Sequence, residues 1–73
     1  MQLQAGRRIA ILVNGERTET GAASLGELVV QLGFSEEAVA TARNGDFVPR
    51  QARAATRLAA DDRIEIVAPR QGG

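Results

Sequence analysis

The 73-residue chain has no cysteine, histidine, lysine, tyrosine or tryptophan, and two phenylalanines are its only aromatic residues. Each absence closes a class of function. Without cysteine there is neither a disulfide nor a thiolate metal site to staple so short a chain. Without histidine as well, imidazole and thiolate ligation of transition metals is excluded. An enzyme acting alone needs a group that changes protonation near neutral pH, or an activated nucleophile. Asp, Glu, Ser, Thr and Arg remain, and no carboxylate pair stands at a catalytic spacing. The expectation is a protein that is not itself an enzyme.

Other classes fall for want of bulk charge or apolar length. Nine basic and nine acidic residues give a formal net charge of +0. They are spread without long runs, which argues against a nucleic acid or a membrane surface as partner. No apolar run reaches spanning length and no signal-peptide core follows the first residues, so a soluble, cytoplasmic protein is expected. All nine basic residues are arginine, which leaves the amino terminus as the one primary amine and makes the chain a poor acceptor of isopeptide bonds. A domain of this size buries only about 60% of the surface its unfolded chain exposes. With 44% apolar residues, one compact aliphatic core is within reach.

What is present reads as an ordered series of short elements. Ile9-Ala10-Ile11-Leu12-Val13 is a β-branched-rich run closed by Asn14-Gly15, a hairpin signal. Residues 17–20 form a polar return strand suited to a sheet edge. Ser24 followed by Glu27 fits a capping box, and Leu25, Leu28, Val29 and Leu32 then repeat at helical spacing. The predicted helix spans residues 24–32. Gly33 supplies the left-handed stop, with Phe34 placed to fold back on the last turn. Gly26 in the first turn costs roughly 1 kcal/mol relative to alanine, so this helix relies on packing.

Residues 35–45 are ambiguous. A serine, two early acids, several alanines and a terminal Asn44-Gly45 satisfy the rules for a second helix. The same residues allow a strand over 39–43 that turns at Asn44-Gly45 into Phe47-Val48. Pro49 ends that run, because proline cannot donate to a ladder. Residues 50–60 read as an irregular crossover anchored by Leu58. After a turn at Asp61-Asp62, residues 63–67 alternate so that Ile64 and Ile66 face inward. So apolar a strand, with polar ends, is expected at the centre of a sheet.

The chain ends in Gly72-Gly73, a pair without side chains that can be threaded through a narrow channel. Val13-Asn14-Gly15-Glu16, the 24–28 helix start, the block Asn44-Gly45-Asp46-Phe47-Val48-Pro49-Arg50 and the final strand running into Gly-Gly together resemble the ThiS family. These are sulfur carriers of thiamine-thiazole biosynthesis with a ubiquitin-like β-grasp fold. The resemblance covers the chain from Ile9 onward. It implies an α+β domain over residues 9–68, a mixed sheet of four to five strands on one main helix. Residues 1–8 form an amino-terminal extension, and 69–73 a flexible tail that extends about 17 Å. It also resolves the ambiguous segment as a strand.

Functionally, the resemblance implies that an E1-like adenylyltransferase uses ATP and Mg²⁺ to activate the Gly73 carboxylate, the chain having no cofactor of its own. A persulfide-bearing sulfur donor then converts Gly73 to a thiocarboxylate, and thiazole synthase receives the sulfur. Gly72, Gln71 and Arg70 thread the tail, Arg70 serving either to meet an acidic groove or for solubility. Alternation places Leu12 and Val67 on the sheet face away from the helix, with one of Phe47 and Val48, and makes these four the candidates for partner docking. Two departures from the family pattern stand out. Asp61 occupies a turn position where relatives carry glycine, and Pro69-Arg70-Gln71 replaces small or apolar residues. The alternatives are a carrier serving molybdopterin or a secondary-metabolite pathway, a ubiquitin-like modifier and a passive binding module. The lack of cysteine rules out a β-grasp ferredoxin.

Overall fold

The computed structural model describes residues 8–69. Five strands, β1 (Ile9–Val13), β2 (Glu16–Thr20), β3 (Ala40–Arg43), β4 (Asp46–Val48) and β5 (Arg63–Val67), form one sheet in the order β2-β1-β5-β3-β4. β1 and β5 run parallel, and the other neighbours are antiparallel. A parallel pair needs a long crossover between its members. That crossover contains the helix α1 (Leu25–Gln31), β3, β4 and a 3₁₀ segment, Arg50–Ala55. The last strand is central, and the polar β2 lies at an edge, as the residue pattern predicts.

Both hairpins turn for the reason their sequences suggest. Asn14 and Gly15 have φ of 51° and 85°, and Asn44 and Gly45 have φ of 52° and 88°. Two successive positive φ values define the tight turn whose twist matches that of paired strands, and Asn-Gly tolerates it best. Asp61 also lies in the left-handed region, at φ 71°, where a Cβ is unfavourable.

α1 is capped at both ends by its own sequence. Ser24 Oγ accepts from Glu27 N–H at 3.2 Å, and Glu27 Oε1 accepts from Ala23 N–H at 3.0 Å. The glutamate therefore reaches one residue further back than a capping box requires. At the other end Gly33 N–H donates to the Val30 carbonyl and Phe34 N–H to that of Val29, the bond pair of a Schellman motif. Leu25, Leu28 and Val29 are fully buried, but Leu32 is the C-cap and is 38% exposed. The predicted stripe is thus one residue too long: the helix ends at Gln31, before its last leucine reaches the sheet.

Those side chains meet Ile11, Val39, Val48, Ile64 and Ile66 in one core, with Phe34 and Leu58 packed at its margin. Each large aliphatic side chain taken fully from water contributes about 1.5–3 kcal/mol. Beside this core is a buried cation. Arg53, on the 3₁₀ segment, is 5% exposed. It donates to Thr41 Oγ1 at 3.0 Å, the Glu36 carbonyl at 2.8 Å and the Val39 carbonyl at 2.7 Å.

These bonds account for the ambiguous segment. In a helix over 35–45 the Glu36 and Val39 carbonyls would accept from the amides four residues on. Here a guanidinium from outside the segment takes both, and residues 40–43 pair with β4 and β5. A tertiary contact overrides the weak local preference for helix. The crossover, expected to be irregular, is instead a 3₁₀ turn over its first half, and it is this turn that places Arg53.

Candidate functional site

α1 covers one face of the sheet and leaves the other free, and β5 crosses the middle of both. Alternation and register decide what the free face presents. Ile64 and Ile66 point to the core, and Arg63, Glu65 and Val67 point away. Leu12 stands level with Arg63, Ala42 with Glu65, Ala40 with Val67, and Phe47 with Ala42. Phe47 is 69% exposed and Val67 60%; Leu12 is half-buried. Two large apolar side chains in water, separated by two alanines, make the open end of this face a candidate contact surface.

Val48 does not belong to it. It is 7% exposed, on the core side, level with the buried Thr41, whose hydroxyl donates to the Val48 carbonyl. Adjacent strand residues point to opposite faces, so once Val48 is in the core Phe47 must be out. Of the four docking candidates, Leu12, Phe47 and Val67 share the free face and Val48 is withdrawn. Ala40 and Ala42, which lie among them, become visible only once the β3 register is known. The candidate residues Arg70, Gln71, Gly72 and Gly73 lie outside the described residues.

Polar side chains fix β5 at both ends. Asn14 Oδ1 accepts from Ile66 N–H at 2.9 Å, and Asn14 Nδ2 donates to the Ile66 carbonyl at 3.1 Å. Asn44 Oδ1 accepts from Arg63 N–H at 2.8 Å, and its Nδ2 donates to Asp62 at 3.0 Å. The buried Asp62 carboxylate also accepts from Arg43 Nε and Ala59 N–H, both at 2.8 Å. Burial opposes its ionisation, but the Arg43 guanidinium, the Ala59 amide and the Asn44 amide outweigh that and hold the carboxyl below its ordinary value. The same hydrogen bond raises Arg43. The sequence marked these residues as turn formers, and nothing in it reveals what their side chains grip.

Behind the sheet, a groove of about 650 Å³ runs between α1 and the 3₁₀ segment, with Val30, Gln31, Glu36, Arg50 and Arg53 among its lining. Its charges are mixed, and the Ser24 hydroxyl on its lining is engaged in capping α1. Among the described residues there is no group of three carboxylates that could hold a metal ion, and no helix is long and apolar enough to cross a membrane.

A model of the ThiS family matches residues 11–73. The chain belongs to the ThiS family. It is similar to the crystal structure of a thiamine biosynthesis protein (ThiS) from Geobacter metallireducens, at 30% identity and a TM-score of 0.73 over 89% of this chain and 100% of that one. The solution structure of a thiamine biosynthesis protein from the same organism is 28% identical, with a TM-score of 0.75 over 89% of this chain and 88% of that one. Comparison with curated proteins gave no match. The five-stranded mixed sheet on one helix is therefore the family's β-grasp, and the chain falls among the sulfur carrier proteins of thiamine biosynthesis.

Proposed function

We propose that the chain carries sulfur on the carboxyl group of Gly73 for thiazole formation. The observation that carries this reading is the family match running through Gly73. The fold supports it. β5 is the central strand, so the chain leaves the sheet from its middle and not from an edge.

The chemistry explains why a carrier needs an activating partner. A carboxylate is a poor electrophile. When one of its oxygens attacks the α-phosphorus of ATP, pyrophosphate leaves and AMP becomes the leaving group on the acyl carbon. The terminal sulfur of a persulfide displaces AMP, and a thiol then reduces the S–S bond, releasing the thiocarboxylate C(=O)–S⁻. ATP, Mg²⁺ and the persulfide belong to an E1-like enzyme and a sulfur donor, and thiazole synthase accepts the sulfur. The chain contributes a terminal acyl group and a surface by which others hold it, and catalyses nothing itself.

Incubation with ATP, Mg²⁺, the E1-like enzyme and a sulfur donor is expected to replace one oxygen by sulfur in the carboxyl-terminal peptide, read by intact mass. Deletion of Gly73 abolishes the product without altering the melting temperature; loading that survived the deletion would refute the assignment. The docking face has its own test. Phe47→Asp is expected to raise the carrier's KM about tenfold, the cost of losing a good interface contact, while changing stability by no more than about 0.5 kcal/mol. An unchanged KM removes Phe47 from the contact surface.

A further inference from the structure

Asn14 does more than turn the first hairpin. The parallel ladder between β1 and β5 holds two residue pairs, Leu12 with Arg63 and Val13 with Ile64. Its last backbone bond runs from Asn14 N–H to the Ile64 carbonyl at 2.8 Å. There the first strand ends, because Asn14 and Gly15 turn it into β2. Hydrogen-bonding groups on a strand face the same neighbour every second residue, so the N–H and carbonyl of Ile66 also face the β1 side, with no strand beside them. The Asn14 carboxamide fills that gap. It accepts from one group of Ile66 and donates to the other, as a peptide group in a further residue of β1 would.

This rung has a particular place in the chain. On its other side β5 is paired to its last residue, with Ala40 level with Val67. Asn14 therefore gives Ile66 a partner on the one flank that would otherwise lack it, at the end of β5 from which residues 68–73 continue. Asn44 makes a comparable grip on Arg63, but at the opposite end of the strand. Two Asn-Gly turns of the same geometry thus hold the two ends of β5, and only one of them is next to the carboxyl terminus.

We infer that Asn14 is a positioning residue: its carboxamide fixes the point at which the chain leaves the sheet, and so the anchor from which a partner must reach Gly73. The functional arm of this inference rests on the sulfur-carrier reading; the structural arm does not. If the rung opens, the end of β5 is held from one side only. The activating enzyme must then supply the ordering of those residues as it binds, at a cost in affinity. Turnover of the bound complex is expected to be unaffected, because the Asn14 carboxamide is engaged by Ile66 and acts on the exit of the strand, not on the chemistry.

Asn14→Gly is the informative variant. Glycine adopts the same positive φ without strain, so the turn survives and only the carboxamide is lost. Asn44→Gly is its matched control. Backbone hydrogen exchange of the free protein is expected to show about tenfold or greater loss of protection at Ile66 in Asn14→Gly, from the loss of two hydrogen bonds, and none at Ile66 in Asn44→Gly beyond that of the core as a whole. In the sulfur-loading assay, Asn14→Gly is expected to raise the carrier's KM roughly threefold or more with kcat unchanged, since a cost in ordering appears in binding; Asn44→Gly leaves both unchanged. Uniformly faster exchange across the core in Asn14→Gly, or equal KM values for the two variants, would overturn the inference by reducing Asn14 to a general stabiliser. If the wild-type chain took up no sulfur, the carrier reading would fail instead, and the exchange data alone would decide the structural arm.

Discussion

α1 and the stretch that follows it, residues 35–45, are neighbours in sequence and opposites in what determines them. Nearly everything that starts and stops α1 lies within eleven residues: Ser24 and Glu27 at one end, Gly33 and Phe34 at the other. Residues 35–45 satisfy helix rules about as well, yet 40–43 form a strand. Its decisive partner, Arg53, stands seventeen residues beyond Glu36 and fourteen beyond Val39. Local capping specifies a helix only where no distant group competes for its carbonyls.

Breaking the distant tie should have the largest effect. Arg53→Met keeps much of the aliphatic volume but leaves the Glu36 and Val39 carbonyls and the Thr41 hydroxyl without their donor. At roughly 1–3 kcal/mol for each buried group left unsatisfied, a loss of about 3 kcal/mol is expected. That lowers the thermal midpoint by about 12–24 °C in a chain this short, with exchange accelerating first at residues 39–43. A loss below about 1 kcal/mol would mean that the segment holds its own conformation.

The second long-range tie adds a pH dependence. The folded-state value of the Asp62 carboxyl lies below its ordinary 3.8. The unfolded chain therefore takes up a proton first as pH falls. The stability this carboxylate contributes is complete above pH about 4 and is lost progressively as the pH falls from there through the folded-state value. Asp62→Asn is expected to cost about 2 kcal/mol at pH 7, in the range for charge-assisted bonds, and to flatten the stability curve below pH 4 in denaturant titrations. An unaltered acid limb would assign the loss to other carboxyls.

The local side of the comparison predicts the smallest change. Ser24→Ala removes one cap and should cost about 1 kcal/mol, confined in exchange to the first turn of α1. A cost as large as that of Arg53→Met would erase the distinction drawn here.

The same distinction explains what could be read in advance. The first Asn-Gly turn, the capped helix, the inward Ile64 and Ile66 and the central last strand follow from spacings of a few residues. The strand expected over 39–43 and the turn at Asn44-Gly45 came from family likeness, because their cause lies in the crossover; the strand begins at Ala40. At the candidate docking face, Leu12 and Val67 followed from alternation alone. Choosing Phe47 over Val48 required the β3–β4 register, which rests on Thr41 facing the core. The grip of Asn14 on Ile66 spans 52 residues, and no pattern within a strand or turn could announce it.

The central position of β5 also has a mechanical side. A partner that draws on the carboxyl terminus pulls along this strand, while its ladder bonds to β1 and β3 lie largely across that direction. Such a load is shared among all the rungs at once; at an edge strand peeled sideways they would fail one after another. A partner pulling on the chain beyond Val67 would therefore load the sheet in the direction in which its rungs resist together.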